Sequence, residues 1–443
     1  MTRNTGTLFL AGALIGLSSV AFSNTDFATA AASAFTSSTY RALDLFHAVF
    51  NGVRSDYVEK PDERALIDGA IKGMLGSLDP YSSYLAPNDL KAKQAEIAGE
   101  VGSLGLEVTM ADGVIKVISP IDDTPASHAG MLANDLIIKI DGDDVEGITL
   151  DEAVEKLGGA VQSSTTLTVM RKGNDKPFDV TLVREEMPVQ SVKSREDGQV
   201  GYIRISQFNE KTAEGLKSAI DKIQAEIGKD RVQGYVLDLR NNPAGLIDQA
   251  VAISSDFLDG GEIVEIRGRQ PDQARRFSAT GGDLVAGKPV IVLVNGGSAS
   301  DSEIVAGALQ DHQRATIVGT KSFGKGTVQT IIPLGDKAVL RLTTGRYYTP
   351  SGRSIQTDGI APDIVITENS PPELAKTQAP KIGVADSVHL TEGTPVDKRE
   401  SESSGYIPPD PRDDAQLNYA LDLLRGAQVN AAFPPDHSKG VPN

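Results

Sequence analysis

The chain has 443 residues, enough for two or three domains with cores of their own. A net charge of −17 and a pI near 4.8 make it a poor ligand for nucleic acid and for anionic membranes, so no nucleic-acid partner is expected. The absence of cysteine excludes disulfides, zinc–thiolate sites, a cysteine nucleophile and a lipidated-cysteine anchor.

Arg3 precedes an uncharged apolar stretch, Leu8 to Phe22, and small residues follow, with Ala28-Thr-Ala30 as a cleavage site. Residues 1–30 therefore read as a secretory signal peptide. This predicts a periplasmic or otherwise extracytoplasmic protein, membrane-associated if the segment is retained. An uncleaved anchor is the competing reading, because no charge occurs from Asn4 to Thr25. Residues 35–98 form an N-terminal helical region. Leu43, Phe46, Val49 and Phe50 share one helical face, and Leu66, Ile67, Ala70, Met74 and Leu75 share another. Leu78 to Pro87 is a proline-bounded rigid loop.

From 99 to 187 the pattern changes to short strands: Val114–Ile118, Asp135–Asp141 and Thr166–Met170, with one helix at Leu150–Leu157. A glycine-bearing loop, Gly102-Ser-Leu-Gly-Leu-Glu-Val108, opens the region. That loop, the strand order and the run Ser119-Pro-Ile-Asp-Asp-Thr-Pro-Ala-Ser-His-Ala-Gly130 together resemble a PDZ domain. The resemblance implies a peptide bound as an added strand, its terminal carboxylate held by the backbone of Leu104, Gly105 and Leu106. His128 reads as a linker residue.

Residues 188–367 carry an α/β pattern. Strands Val200–Ile205 and Val232–Leu239 flank an amphipathic helix marked by Leu216, Ile220, Ile223 and Ile227. The turn Asp238-Leu-Arg-Asn-Asn-Pro-Ala-Gly245 leads into a helix from Leu246 to Leu258. Next, the apolar strand Pro289–Val294 runs into Asn295-Gly-Gly-Ser-Ala-Ser-Asp-Ser-Glu-Ile304, so Ser298 and Ser300 sit where strand becomes helix. A helix start has unpaired N–H groups and a partial positive charge, which can hold the oxyanion of a serine nucleophile. The same text, Ser300-Asp-Ser-Glu303, is also a capping box. A serine nucleophile needs a base. His312 lies twelve residues further along the helix, about 18 Å away at 1.5 Å per residue. Lys325 lies past the strand Ala315–Gly319 in a glycine-flanked turn, which a strand–helix–strand unit returns to the edge where the helix began. Lys325 is thus the candidate base of a Ser/Lys dyad, provided that burial or a positive field lowers its pKa from about 10.4. Gln329 shares a strand face with Lys325 and is placed to orient it.

Ser-Ala-Ser-x-Ser-Glu-Ile followed by Phe-Gly-Lys-Gly-Thr-Val-Gln resembles the carboxy-terminal processing proteases, also called tail-specific proteases. The resemblance implies an α+β multidomain fold: N-terminal helical region, PDZ β-barrel-like domain and an α/β protease core of crotonase/ClpP-like type. It implies catalytic roles for Ser300, Lys325 and Gln329, and oxyanion binding by the backbone of Gly245 and Asp301. It implies no cofactor and no metal. Two positions depart from the family pattern. Ala244 replaces the first glycine of Asn-Pro-Gly-Gly, where a positive φ would be costly. Asp301 replaces an alanine and would repel a developing oxyanion. The function implied is an exported serine endopeptidase that recognises protein C-terminal tails and cleaves near them. Its expected partners are polypeptides with free C-termini, an adaptor protein and further copies of itself in a homo-oligomer. The alternative is a catalytically impaired PDZ peptide-binding scaffold.

Other chemistries fit less well. Gly319-x4-Gly-Lys325 approaches a phosphate-binding loop, but Gly326 replaces the Mg²⁺-holding Ser/Thr and strand-like text follows. The five histidines make no His-x3-His pair. Asp311, at the unfavourable end of the serine helix, is expected to have a cationic partner. Residues 368–414 form a Pro-, Ser- and charge-rich linker. In 415–443, Leu417, Ala420, Leu421 and Leu424 mark a short amphipathic helix that docks on the body or on a partner subunit.

Overall fold

The computed structural model describes residues 37–85, 102–172, 174, 176–186, 191–335, 338–356, 358–368, 404–408 and 410–441. The expected signal segment and most of the expected linker lie outside these residues. The chain divides into two units, the first ending at Gly69. The first holds α1 (Ser37–Asp56) and the start of α2 (Glu63–Gly76). The expected apolar face of α1 is present, and its Leu43, Phe46 and Val49 are exposed. No helix among the described residues is long and apolar enough to cross a membrane.

The second unit takes in the end of α2, adds β1 (Ser83–Leu85) and then forms the predicted PDZ region. This comprises β2 (Leu106–Ala111), β3 (Val114–Pro120), α3 (Pro125–His128), β4 (Leu136–Ile140), β5 (Asp143–Asp144), α4 (Leu150–Leu157), β6 (Ser164–Met170) and β7 (Phe178–Val183). The sheet runs β2-β3-β4-β6-β7 and is antiparallel throughout, with β5 paired to β4. Alternation sorts its faces: Thr165, Leu167 and Val169 of β6 point inward while their neighbours are partly exposed. Leu104, Ile115, Val117 and Ile137 complete the core. A Thr149–Glu152 capping box starts α4.

The second region of this unit contains β8 (Val192–Asp197), β9 (Val200–Ile205), α5 (Thr212–Ile227), β10 (Gly234–Asp238), α6 (Ile247–Ser255), β11 (Glu262–Gly268) and β12 (Arg275–Ser278). It continues with β13 (Val290–Val294), α7 (Asp301–Asp311), β14 (Thr316–Gly319), β15 (Thr327–Leu334), β16 (Ala338–Tyr348), β17 (Ile364–Val365) and α8 (Ala415–Leu424). Its main sheet has the order β17-β14-β13-β10-β9-β8, parallel except for β8. Strands β9, β10, β13 and β14 are buried at every residue, which explains their mainly apolar text, with Arg204 of β9 and Asp238 of β10 buried as an ion pair. One face packs on α5, α6 and α7. The other, with Tyr202, Val236, Ile291 and Leu293, packs on Leu417, Ala420 and Leu421 of α8. The C-terminal helix therefore docks on its own chain. A second sheet, β1-β16-β11-β12 with β15 on β16, stands beside it.

A buried charge network holds α8 in place. Arg240 is 1% exposed and donates to Asp238 (2.7 and 3.0 Å), Asp414 (2.7 and 2.9 Å) and Gln416 (3.0 Å). Burial opposes the ionised Asp238 carboxyl, yet Arg240 and Arg204 hold it far below the usual range. Removing one partner of such a pair strands a buried charge. Asp414→Ala is expected to lose about 3–5 kcal/mol of stability, read as a fall in thermal midpoint. Arg412→Ala, at an exposed ion pair with Asp410, should leave the midpoint unchanged.

Candidate active site

In a parallel sheet the loops leaving the carboxyl ends of neighbouring strands converge. Here those loops follow β10 and β13, and they are tied to each other. Asn241 N–H donates to Asn295 Oδ1 (2.9 Å), and Asn295 Nδ2 donates to Asn241 Oδ1 (2.9 Å). Ser298 Oγ donates to the Leu239 carbonyl and Ser302 Oγ to the Asn242 carbonyl, each at 2.8 Å. Two of the three clustered serines are thus fasteners. Ser300 differs: it caps α7 with φ 52° and ψ −109°, a sparsely populated conformation for a residue with a side chain. Its N–H donates to Glu303 Oε2 (2.8 Å), the returning half of the expected capping box, and its Oγ lies 3.5 Å from Asp301 Oδ2.

The Ala244 question resolves in this turn. Asn241, at φ 50°, takes the left-handed position, and Ala244 keeps an ordinary backbone conformation. Gly245 is needed for space, because a Cβ there would lie 2.3 Å from the Phe208 carbonyl oxygen.

Lys325 lies in the loop between β14 and β15, pinned to the serine turn by Phe323 N–H donating to the Ser298 carbonyl (2.9 Å). Glu303, fully buried, joins the two loops. Besides Ser300 N–H it accepts from Gly324 N–H (2.8 Å), Lys325 N–H (3.0 Å) and the Ser322 hydroxyl. Burial pushes its carboxyl up to about 7, against the pull of these donors. The Lys325 side chain is 12% exposed, and its Nζ donates to Glu107 Oε1 at 2.6 Å, 5.6 Å from the Tyr81 ring centre. Burial alone would lower its pKa, but Glu107, with Tyr81 and Asp301, raises it above the ordinary lysine value. A lysine charged and paired in this conformation differs from the expectation of a depressed pKa. The reason is a carboxylate that β2 delivers from 218 residues away in sequence.

The remaining candidates separate. Gln329 Nε2 donates to Thr327 Oγ1 and Thr343 Oγ1, both at 3.1 Å, so its amide is held within the β15–β16 hairpin. His312, at the far end of α7, contacts the Glu262 carbonyl through Nε2 (2.7 Å). Asp311 accepts from Ser351 N–H (2.9 Å) and pairs with Arg353, the cationic partner expected. The text after Lys325 is strand β15, so no helix start is available there for a phosphate.

Leu104, Gly105 and Leu106 form the loop entering β2. Gly105 has φ 75°, and a Cβ on it would lie 2.2 Å from Thr124. The linker braces this loop from behind, with Ile121 and Ala126 N–H donating to the Gly105 and Leu104 carbonyls (2.8 and 3.0 Å). Strand β2 is the sheet edge and α4 lies alongside it. Along β2 side chains alternate: Val108 joins the PDZ core, whereas Glu107 meets Lys325 and Thr109 Oγ1 bonds Tyr81 Oη (3.2 Å). Ile118 of β3 clusters with Ala299 and Phe323, and Asp122 grips Arg204 (2.7 and 2.8 Å). The PDZ sheet therefore closes on the turns carrying Ser300 and Lys325. Glu107 and Tyr81 had no local signature in the sequence; Glu303 had one, its place in the capping box.

Peptidase family S41 matches residues 199–366, a PDZ domain matches 102–182, and the N-terminal domain of the activating protease CtpB matches 7–88. The carboxy-terminal-processing protease of Bartonella bacilliformis is 53% identical over 401 residues, spanning 90% of this chain and 92% of that protein. The carboxy-terminal processing protease CtpA of Bacillus subtilis is 36% identical over 324 residues, 73% of this chain and 68% of that one. A solved photosystem II D1 C-terminal processing protease aligns with a TM-score of 0.63 at 32% identity, covering 75% of this chain and 94% of its own. With an N-terminal domain, a PDZ domain and an S41 core in that order, the chain belongs to peptidase family S41, as a serine-type peptidase of the carboxy-terminal processing group.

Proposed function

We propose that the chain is an exported endopeptidase that captures free protein C-termini on its PDZ domain and cleaves near them with a Ser300/Lys325 dyad. The observation that carries this reading is the Lys325–Glu107 ion pair, which ties the base to the strand where a peptide would add. In the chemical step Ser300 Oγ attacks the scissile carbonyl and its proton passes to neutral Lys325 Nζ. The N–H groups of Gly245 and Asp301 receive the oxyanion. Collapse expels the amine, which takes the proton from Lys325, and water then hydrolyses the acyl-enzyme. Gln329 completes the site by positioning Lys325 once the loop is released.

The ion pair gives peptide binding a physical route to the chemistry. A protonated amine cannot act as a base. A peptide strand seated on β2, with its carboxylate on the Leu104–Leu106 loop, shifts the strand and withdraws Glu107. Lys325 then keeps its burial and loses its counter-charge, so its pKa falls toward the range of a working base. With residues 1–30 read as an export signal, the proposed place of action is extracytoplasmic. The exposed apolar face of α1 suits self-association, and an adaptor protein is a further proposed partner.

Ser300→Ala is expected to abolish cleavage of a polypeptide with an apolar C-terminal tail, measured by product mass. Retained cleavage would remove Ser300 from the mechanism, and an inactive wild type would favour the binding scaffold that Asp301 suggests. Amidating the substrate's C-terminus should slow cleavage at least several-fold; an unchanged rate would argue against carboxylate capture. Glu107→Gln is expected to raise the peptide-independent rate and to move the alkaline-requiring limb of its pH profile to lower pH, because the neutral amide no longer holds Lys325 protonated. N-terminal sequencing of the exported protein should begin after Ala30.

A further inference from the structure

We infer that Asp79 is a positioning residue for the reaction: through Ser82 and Thr343 it sets which end of the Gln329 amide is offered to Lys325. The inference rests on the roles proposed above for Lys325 and Gln329, and it adds the loop that precedes β1 to the site. Asp79 opens that loop and accepts from Tyr81 N–H (2.8 Å), Ser82 N–H (2.7 Å) and the Ser82 hydroxyl (2.8 Å). An ionised carboxylate can only accept, and a serine has a single hydroxyl proton, so that proton belongs to Asp79. The buried Ser82 Oγ is then left as an acceptor. Thr343 of β16 meets it twice: its N–H donates at 3.1 Å, and the two hydroxyl oxygens are 3.4 Å apart. With its own proton directed to Ser82, Thr343 Oγ1 accepts in turn from Gln329 Nε2 (3.1 Å), as Thr327 Oγ1 does (3.1 Å). Each link takes its direction from the one before, and the first is fixed by charge.

The strand register serves the same end. Along β15 and β16 the pairing slips from Val328–Gly345 to Gln329–Thr343, and the slip sets Gln329 directly across from Thr343. Both amide hydrogens of Gln329 are thereby committed, while among the described residues nothing donates to its Oε1. The oxygen is the end that a lysine base can use. A neutral amine has two N–H groups and one lone pair; an amide oxygen takes an N–H and leaves the lone pair to receive the Ser300 proton. The opposite end would donate to that lone pair and block it. The same loop also meets the base and the PDZ edge: the Tyr81 ring centre is 5.6 Å from Lys325 Nζ, and Thr109 Oγ1 of β2 donates to Tyr81 Oη (3.2 Å). Arg341, held by Asp151, donates to the Tyr81 carbonyl (3.0 Å) and secures it.

Steady-state cleavage of a polypeptide with an apolar, free C-terminal tail tests the inference on the full chain. Thr343→Val, close in shape but without the acceptor, is expected to lower kcat about tenfold, the order of one hydrogen bond, with KM unchanged. The limb of its pH profile that requires neutral Lys325 should move to lower pH, since an ammonium that loses an acceptor gives up its proton more easily. Glu107, Tyr81 and Asp301, the other groups that act on Lys325, are unaltered in this variant. Thr343→Ser should restore kcat, and Asp79→Asn, whose amide can donate to Ser82 and reverse the chain, should lower it. In a Gln329→Ala background Thr343→Val should cost nothing further. Wild-type kcat in Thr343→Val or Asp79→Asn, a loss that Thr343→Ser shares, or an equal loss in the Gln329→Ala background would overturn the inference and leave the Ser300/Lys325 reading intact. Where Gln329→Ala is too slow to measure, the recovery in Thr343→Ser and the pH limb decide. Gln329→Ala at the wild-type rate would overturn the role of Gln329, and a wild type that does not cleave would overturn the proposed function; either takes the inference with it.

Discussion

The Lys325 side chain is only 12% exposed, and a buried ammonium is tolerable only with a counter-charge in contact. The counter-charge comes from Glu107, on the PDZ strand whose opposite face helps to form that domain's own core. One pair therefore does two things: it satisfies the amine and it fastens the PDZ edge to the loop that carries Lys325. Ile118 against Ala299 and Phe323 adds an apolar contact to the same seam. Under the proposed mechanism, the interaction that stabilises this arrangement is also the one that keeps the base charged. Rest and activity then differ by the position of one carboxylate.

The turn that carries Ser300 is cross-tied to its neighbours. Ser298 and Ser302 bond to carbonyls of the neighbouring loop, and the paired Asn241 and Asn295 side chains close the junction. Glu303 gathers Ser300 and the lysine loop around one carboxylate. Ser300 can hold an unfavourable φ, a cost of about 1–3 kcal/mol, because its neighbours over-determine it. Asp301 brings a second acid to the same helix start, its Oδ2 3.5 Å from the Ser300 hydroxyl.

A second line of charges runs from the PDZ linker into the fold. Asp122 holds Arg204, Arg204 and Arg240 share Asp238, and Arg240 reaches Asp414 at the start of α8. Signs alternate along the line, so each buried ion has its complement. Its members come from four separate segments, and the C-terminal helix closes it.

The order of helical region, PDZ and α/β core was legible because each region carries its own periodicity, and because the Ser-x-x-Glu and Gly-Lys-Gly texts sit at fixed places beside apolar strands. The docking helix was legible in Leu417, Ala420, Leu421 and Leu424, though not the sheet face that receives it. Ser300 was named as the candidate nucleophile on the resemblance of its motif; the fastening roles of Ser298 and Ser302 appear only in the fold, where they donate to carbonyls of the neighbouring loop. Ala244 looked strained because the position was judged by the family pattern, whereas Asn241 takes the positive φ three residues earlier. Glu107, Tyr81 and the charged state of Lys325 were beyond the sequence. A side chain's local text sets what it can do, but its ionisation depends on what the folded chain places within about 4 Å of it. For Lys325 that neighbour is 218 residues away.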